Sequence, residues 1–326
     1  MGGNALKIKT RRHTKQEVLD YYKLVDEFLK TQNVQYTITK SYESKETFGD
    51  MDVLIASAYS DVWKNKILEH FKPEEYTKGD SVVSFNLGEL QTDFIFTGIE
   101  KYEMSKIYYD FNIIGACMGM IANKIRLKFS NNGLSLTIHS ADKTYIVCDT
   151  NITKDIPTIF KLLDLDYSRY LQGFETLEDI FEFIMKSKYF CPRTLMDSTR
   201  KYSSSIQKFQ IYLKDKLGVD YPTKPKLNKF ELYEFYDKEF PEAKVMEKYN
   251  IGILKYETKK LISQKYRGTL IMEWVGLKGK ELGYHLNNFK SNFADFNAYA
   301  LSNSCQTIKT DFLTYYNSYI SSSGKN

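Results

Sequence analysis

The chain has 326 residues, enough for about two domains and at least one full hydrophobic core. Its 46 basic and 41 acidic side chains leave a net charge of +5, too mild to name nucleic acid as a partner, and 42% hydrophobic with 27% charged residues argues against collagen-like, disordered and coiled-coil chains. No apolar run approaches the ~18 residues that span a bilayer, and the first residues lack the apolar core of a signal peptide, so the expectation is a soluble, cytoplasmic monomer with no membrane partner.

Val18, Leu19, Tyr22, Val25, Phe28 and Leu29 recur at three- and four-residue spacing, which predicts an amphipathic helix over 14–31. Val34, Tyr36 and Ile38 alternate as a strand, and a polar loop over 40–48 leads through Gly49 into a short hydrophobic strand, 50–55. A helix over 59–71, a strand over 81–85, a turn at Asn86 to Glu89 and a strand over 90–96 follow. Helical periodicity returns over 113–129, and Asn131-Asn132-Gly133 announces a hairpin whose strands hold Leu134, Leu136 and Ile138, then Tyr145 and Val147. Beyond Thr153 the pattern is nearly all helical: Thr176 and Asp179 form a capping box, Gly218 ends a helix begun near Ser198, 219–226 with Pro222 and Pro225 reads as a linker, and 321–326 reads as a frayed tail. The expected divisions are an arm and helix over 1–35, an α+β unit over 36–150, a helical region over 151–218 and a helical C-terminal domain over 227–320.

Much familiar chemistry is missing. Cys117, Cys148, Cys191 and Cys305 are scattered, with no CxxC pair, and His13, His70, His139 and His285 are isolated, so a zinc site or a histidine triad has no basis. Neither a GxxxxGK[ST] loop nor a GxGxxG turn occurs. The 26 tyrosines and 21 phenylalanines invite a base-stacking role, but AT-rich codons account for them as well.

The carboxylates carry more. Asp50 and Asp52, two apart in a strand, point to one face, while Met51, Val53 and Ile55 point to the other. Asp93 lies in a second strand with Gln91 and Ile95 on its face. Adjacent acids on a sheet repel unless cations or basic groups neutralise them, and three from neighbouring strands could hold two divalent ions about 3.5 to 4 Å apart, the spacing of in-line phosphoryl chemistry. Gly-Asp alone is also a common turn former, so the context of strand, loop and third acid gives the pattern its weight.

The run Ser41-Tyr42 followed by Phe48-Gly49-Asp50-Met51-Asp52-Val53-Leu54-Ile55 resembles the catalytic signature of the DNA polymerase β-like nucleotidyltransferases, and is closest to the family X polymerases. The resemblance continues through Asp93, through Asn123-Lys124-Ile125-Arg126 and Asn132-Gly133-Leu134-Ser135-Leu136, and to the region of Phe160 to Ile184, which is similar to the end of a family X thumb. It implies an α+β fold, a palm with a mixed sheet, then a thumb-like unit and an all-helical C-terminal domain. It implies two Mg²⁺ ions, with Mn²⁺ as a substitute, on Asp50, Asp52 and Asp93, and transfer of a nucleoside monophosphate from an NTP or dNTP to a nucleic-acid 3′-hydroxyl. Ser41, Lys45, Gly49 and Arg126 become the nucleotide-binding set, with Arg126 beside the template strand and nascent base pair.

Two features depart from or bend that pattern. Lys40 stands where family members place a Gly before the Ser, leaving open whether Lys40 or Lys45 supplies charge to the phosphates. The run from Gly276 to Gly283 resembles the tail of CCA-adding and poly(A)-adding enzymes, which points to tRNA or RNA 3′ ends. A degenerate nucleic-acid-binding protein and a transferase acting on small molecules or proteins are the other readings. Gly115, Gly119, Ala122 and Arg126 share a helical stripe that reads either as a groove for a flat base or as close helix packing. Arg11 and Arg12 sit in an amino-terminal arm, and Lys224, Lys226, Lys229, Lys255, Lys259, Lys260, Lys265 and Arg267 form either a basic channel or an ordinary mixed surface.

Overall fold

The structure, a computed structural model, describes residues 5–197, 203–218, 221 and 227–323. Most of the expected linker, with Pro222, Lys224, Pro225 and Lys226, lies outside the described residues, as do Ser198 and 324–326. The chain is α+β, with a mixed sheet and a C-terminal helical region, and divides into two units: Met1–Leu136 with Thr150–Ala243, and Thr137–Asp149 with Lys244–Asn326.

The first unit opens with β1 (His13–Thr14) and α1 (Lys15–Thr31). Thr14 caps α1 and Glu17 reaches back to the Thr14 N–H, closing a capping box. Next come β2 (Tyr36–Ile38), β3 (Thr47–Phe48), β4 (Asp50–Ala56), α2 (Asp61–Phe71), β5 (Tyr76–Lys78), β6 (Val82–Leu87) and β7 (Leu90–Thr97). Five of these strands form one sheet in the order β2-β4-β7-β6-β5, with β4 and β7 parallel and the other neighbours antiparallel. Period-two alternation sorts the faces. Met51, Val53 and Ile55 join Phe94 and Phe96 against Val25, Phe28 and Leu29 of α1 and Ile67 of α2, while Leu54 and Ile95 on the opposite face meet Tyr102. Tyr102 opens α3 (Tyr102–Tyr109), a helix the sequence pattern does not announce.

The expected helix over 113–129 is shorter. α4 (Ile114–Lys124) stops at Ile125, and Arg126 sits at φ 63° just beyond it. The Leu127 N–H donates to the Ala122 carbonyl and the Arg126 N–H to that of Asn123, a Schellman closure with arginine where glycine is usual. The chain then turns extended as β8 (Lys128–Ser130), which pairs with β9 (Gly133–His139) across Asn131-Asn132; β10 (Ile146–Thr153) completes a three-stranded sheet in the order β10-β9-β8. The hairpin signal therefore joins a strand earlier than expected. Gly115 settles one reading of the small-residue stripe at its own position: a Cβ there would meet the Tyr108 carbonyl oxygen at 2.2 Å, so the glycine permits close packing of α4 against α3.

Helices α5 (Ile156–Leu162), α6 (Tyr167–Leu171), α7 (Leu177–Met185), α8 (Pro192–Met196), α9 (Ser204–Leu217) and α10 (Lys229–Glu239) complete the first unit. α7 begins at the Thr176–Asp179 capping box and α9 ends at Gly218, φ 74°. The buried Phe209 ring, stacked 4.4 Å from Phe181 and 5.4 Å from Phe190, fixes α9 against its neighbours.

The second unit holds α11 (Val245–Lys265), α12 (Gly268–Val275), α13 (Gly279–Ser291), α14 (Phe296–Ser302) and α15 (Cys305–Ser323) around buried Tyr266, Ile271, Phe289, Ile308 and Phe312. Gly276, φ 72°, ends α12, and Gly279, φ 59°, opens α13, so two glycines of the run from Gly276 to Gly283 serve a helix-to-helix joint. A Cβ at Gly252 would lie 1.7 Å from the Val147 carbonyl oxygen: α11 runs directly over that strand segment.

Candidate active site

The carboxylates meet because of strand register. In the parallel β4–β7 pair Asp52 lies opposite Asp93 and Asp50 opposite Gln91, so the three acids share a face, and one carboxylate oxygen from each lies within 4.8 Å of the others. The Gln91 amide donates to both Asp93 oxygens at 3.0 Å, while its own oxygen accepts the Ala5 N–H at 2.9 Å. Ser84, opposite Asp93 on β6, is a second hydrogen-bond partner.

Bringing these groups together costs electrostatic energy. Burial, then the charges of Asp50 and Asp93, push the Asp52 carboxyl up to about 8, with Lys45 pulling the other way. Burial also raises Asp93, opposed by the hydrogen bonds from Ser84 and Gln91. Lys45 is held below the ordinary lysine range by burial, against the pull of Asp50 and Asp52, and its ammonium sits 4.3 Å from the Phe48 ring centre. A half-buried acid that resists ionisation until a cation arrives fits a divalent-metal site.

Three cavities meet at Asp50 and Asn112. One, of about 290 Å³, is lined by Ser41, Lys45 and Gly49 together with Arg12 and Lys208. A second, about 140 Å³, adds Asp52 and Lys40 to Ser41 and Lys45. The third, about 320 Å³, carries Asp50 and Asp52 with Tyr108, Tyr109, Ser204 and Ser205. Ser41, Lys45 and Gly49 are thus beside the acids. Arg126 is exposed, past the end of α4, and lines none of these cavities.

The loop before β4 is held by backbone bonds, Glu43 N–H to Phe174 O at 3.0 Å and Ser44 N–H to Glu175 O at 2.8 Å. Lys40 is anchored through its N–H to Asp110 (2.9 Å), whose other oxygen accepts the Tyr170 hydroxyl (2.8 Å), and the Lys40 ammonium lies 5.6 Å from the Tyr170 ring centre. Phe111 and Asn112 are consecutive non-glycine residues in the left-handed region, φ 60° and 59°, held in part by Phe111 N–H to Lys40 O at 2.7 Å. Strain of this kind is kept where surrounding structure fixes it, and it sets Asn112 at the meeting point of the cavities.

Sequence reasoning missed Asn112, Tyr109 and Lys208. Ser204, Ser205 and Lys208 come from the first turn and a half of α9, so a helix N-terminus with its partial positive charge borders the same cavity as Lys45. The serine run before Lys208 is the signal that could have marked it. Arg12 is tied down: its guanidinium donates to the Thr47 hydroxyl (2.9 Å) and carbonyl (2.6 Å), beside the pairing of His13 with Phe48 and Thr14 with Thr47. Arg11 instead pairs with Glu17 and Glu89, both at 2.7 Å.

Among the described residues no helix is long and apolar enough to cross a membrane. No known family model matches the chain, and no curated protein matches it.

Proposed function

We propose that this chain is a metal-dependent nucleotidyltransferase that moves a nucleoside monophosphate from an NTP or dNTP to a nucleic-acid 3′-hydroxyl, with release of pyrophosphate. The observation that carries the reading is the register of β4 on β7, which sets Asp52 against Asp93 with Asp50 two residues away. The resemblance to family X polymerases over Ser41 and Gly49 to Ile55 supports it, as does the basic border of the adjoining cavity.

Asp50, Asp52 and Asp93 would hold divalent metal. Two Mg²⁺ ions, or Mn²⁺, supply the charge that lowers the pKa of the attacking hydroxyl and offsets the negative charge on the phosphates. Asp93, whose burial raises its proton affinity, receives the hydroxyl proton. The 3′-oxygen bonds to the α-phosphorus as the bond to the bridging oxygen breaks. Arg12, Lys45, Lys208 and the α9 N-terminus, which border the cavity of about 290 Å³, face the departing pyrophosphate, with Ser41 as a hydrogen-bond donor. The test is incubation of the protein with Mg²⁺ and each α-labelled NTP and dNTP, with a primed DNA, a tRNA lacking its terminal CCA, or no acceptor. Label joined to a nucleic-acid 3′ end, and lost in Asp50→Asn and Asp52→Asn, supports the reading. Label only on protein or small molecules moves it to another transferase class, and no label in any arm refutes it.

A further inference from the structure

The second unit contains a groove of about 660 Å³ lined by basic, aromatic and apolar side chains. One wall is a stripe of α11 in which Leu254, Lys255, Thr258, Lys259 and Ile262 recur at helical spacing, continued by Tyr266 just past the end of the helix. Lys290 near the end of α13 and Tyr145 of the segment Thr137–Asp149 stand on the other sides. No acid lines the groove, and Lys255, Lys259 and Lys290 are exposed, with no carboxylate within 4.0 Å of their ammonium groups among the described residues. Each of two ammoniums instead lies by a ring: Lys259 is 5.5 Å from the Tyr145 ring centre and Lys290 is 5.6 Å from those of Tyr266 and Phe296. Leu254, 66% exposed, adds apolar surface at the end of the stripe.

Lys265, at the end of α11, is spent differently. Lys265 donates to the carbonyls of Ala300, Leu301 and Asn303 at 2.8 to 3.0 Å, closing the end of α14. It is consumed by the fold, whereas the three groove lysines are not.

We infer that the groove of Lys255, Lys259 and Lys290 over Tyr145 binds a single-stranded nucleic acid, its phosphates on the ammoniums and a base against Tyr145. Unpaired cations beside aromatic faces suit a chain that alternates anionic phosphates with flat bases; an acidic peptide would match the charge and leave the rings unused. From Leu254 to Tyr266 the stripe runs about 18 Å, room for about five phosphates at stacked-strand spacing. The proposal rests on the transferase reading only in naming the acceptor as the ligand, since strand binding at this groove does not require the acids.

The test is fluorescence anisotropy of labelled 12-nucleotide DNA and RNA single strands with the full chain in EDTA, without nucleotide, over a series of salt concentrations. Removing three phosphate contacts should flatten the plot of log affinity against log salt by about 2. The variant combining Lys255→Gln, Lys259→Gln and Lys290→Gln is expected to show that change and an affinity at least tenfold lower at low salt, with an unchanged circular dichroism spectrum. Tyr145→Ala is expected to weaken binding about tenfold with the salt slope unchanged. Arms with DNA and RNA tell which sugar is preferred. Wild-type affinity and slope in the triple variant, no binding by the wild type, or equal binding of poly-glutamate, would each overturn the proposal. Because the readout uses neither metal nor nucleotide, strand binding without nucleotide transfer refutes the transferase reading alone, and transfer with an idle groove refutes this one alone.

Discussion

The acid cleft and the lysine groove place like charges together at very different energetic cost. Asp50, Asp52 and Asp93 are half-buried on a rigid sheet, and Asp52 is pushed up to about 8 by burial and by its neighbours. Lys255, Lys259 and Lys290 are exposed and solvated, so their mutual repulsion is screened. The first arrangement works against stability and persists only where β4 and β7 are fixed by a core that includes Met51, Val53, Phe94 and Phe96; the second costs little.

The largest effect that can break this contrast is on chemistry. Asp50→Asn and Asp52→Asn are expected to abolish nucleotide transfer, a loss of at least about a thousandfold, while thermal melting shows an intact fold; the groove variants should reduce transfer to long acceptors by about tenfold and recover at high acceptor concentration. Steady-state kinetics separates the two as a kcat loss against a KM rise.

Stability should follow the same division. An unfolded aspartate loses its proton near pH 4, whereas Asp52 in the fold holds one to about 8, so between those values the folded state binds the extra proton. Metal-free protein is therefore expected to lose stability as pH rises from 4 to 8 and to level off above it. Mg²⁺ should raise the Tm more at pH 8.5 than at pH 5.5, and Asp52→Asn should be more stable than wild type without metal at pH 8.5 and lose most of the Mg²⁺ response. Scanning calorimetry at both pH values checks all three, and a pH-independent Mg²⁺ response would break the electrostatic account. Lys255→Gln leaves the three acids in place and is expected to keep the wild-type pH dependence and Mg²⁺ response.

Two smaller perturbations sharpen the comparison. Gln91→Met removes the two 3.0 Å bonds that hold Asp93 at similar volume. Transfer should fall about tenfold, the equivalent of one hydrogen bond to a charged group, and the acidic limb of the pH–rate profile should move to higher pH because those bonds lower Asp93. A rate loss without that movement would mean the glutamine is merely structural. Gly252→Ala puts a methyl against the Val147 carbonyl and should displace the Tyr145 segment from α11, weakening strand binding several-fold in the anisotropy assay while transfer to a short primer persists.

What was legible in the sequence follows from which interactions are local. Period-two alternation in β4 and β7 is written into consecutive residues, so the common side of Asp50 and Asp52, and that of Asp93 with Gln91 and Ile95, could be read, although the pairing that brings the two sides together and puts Asp52 opposite Asp93 could not. The end of α4 was hidden because arginine, not glycine, occupies the left-handed position at Arg126. The pairing of β1 with β3 spans two residues on each strand and leaves no pattern, which is why Arg12 read as part of a loose arm. Lys208 reaches the acid cleft through the packing of Phe209 on Phe181 and Phe190, and Asn112 through a strained turn pinned to Lys40, both tertiary effects. The lysines of α11 were visible as a run, but their division into groove residues and the capping Lys265 needed the fold.

Single-turnover transfer from an α-labelled nucleotide to a 3′-end acceptor as Mg²⁺ is titrated, with pyrophosphate measured alongside, tests the role of the three acids. One pyrophosphate per nucleotide added is expected, with no reaction in EDTA and none in Asp52→Asn at any Mg²⁺ concentration. Transfer that persists in Asp52→Asn, or a wild type that adds no nucleotide to any acceptor, would contradict it.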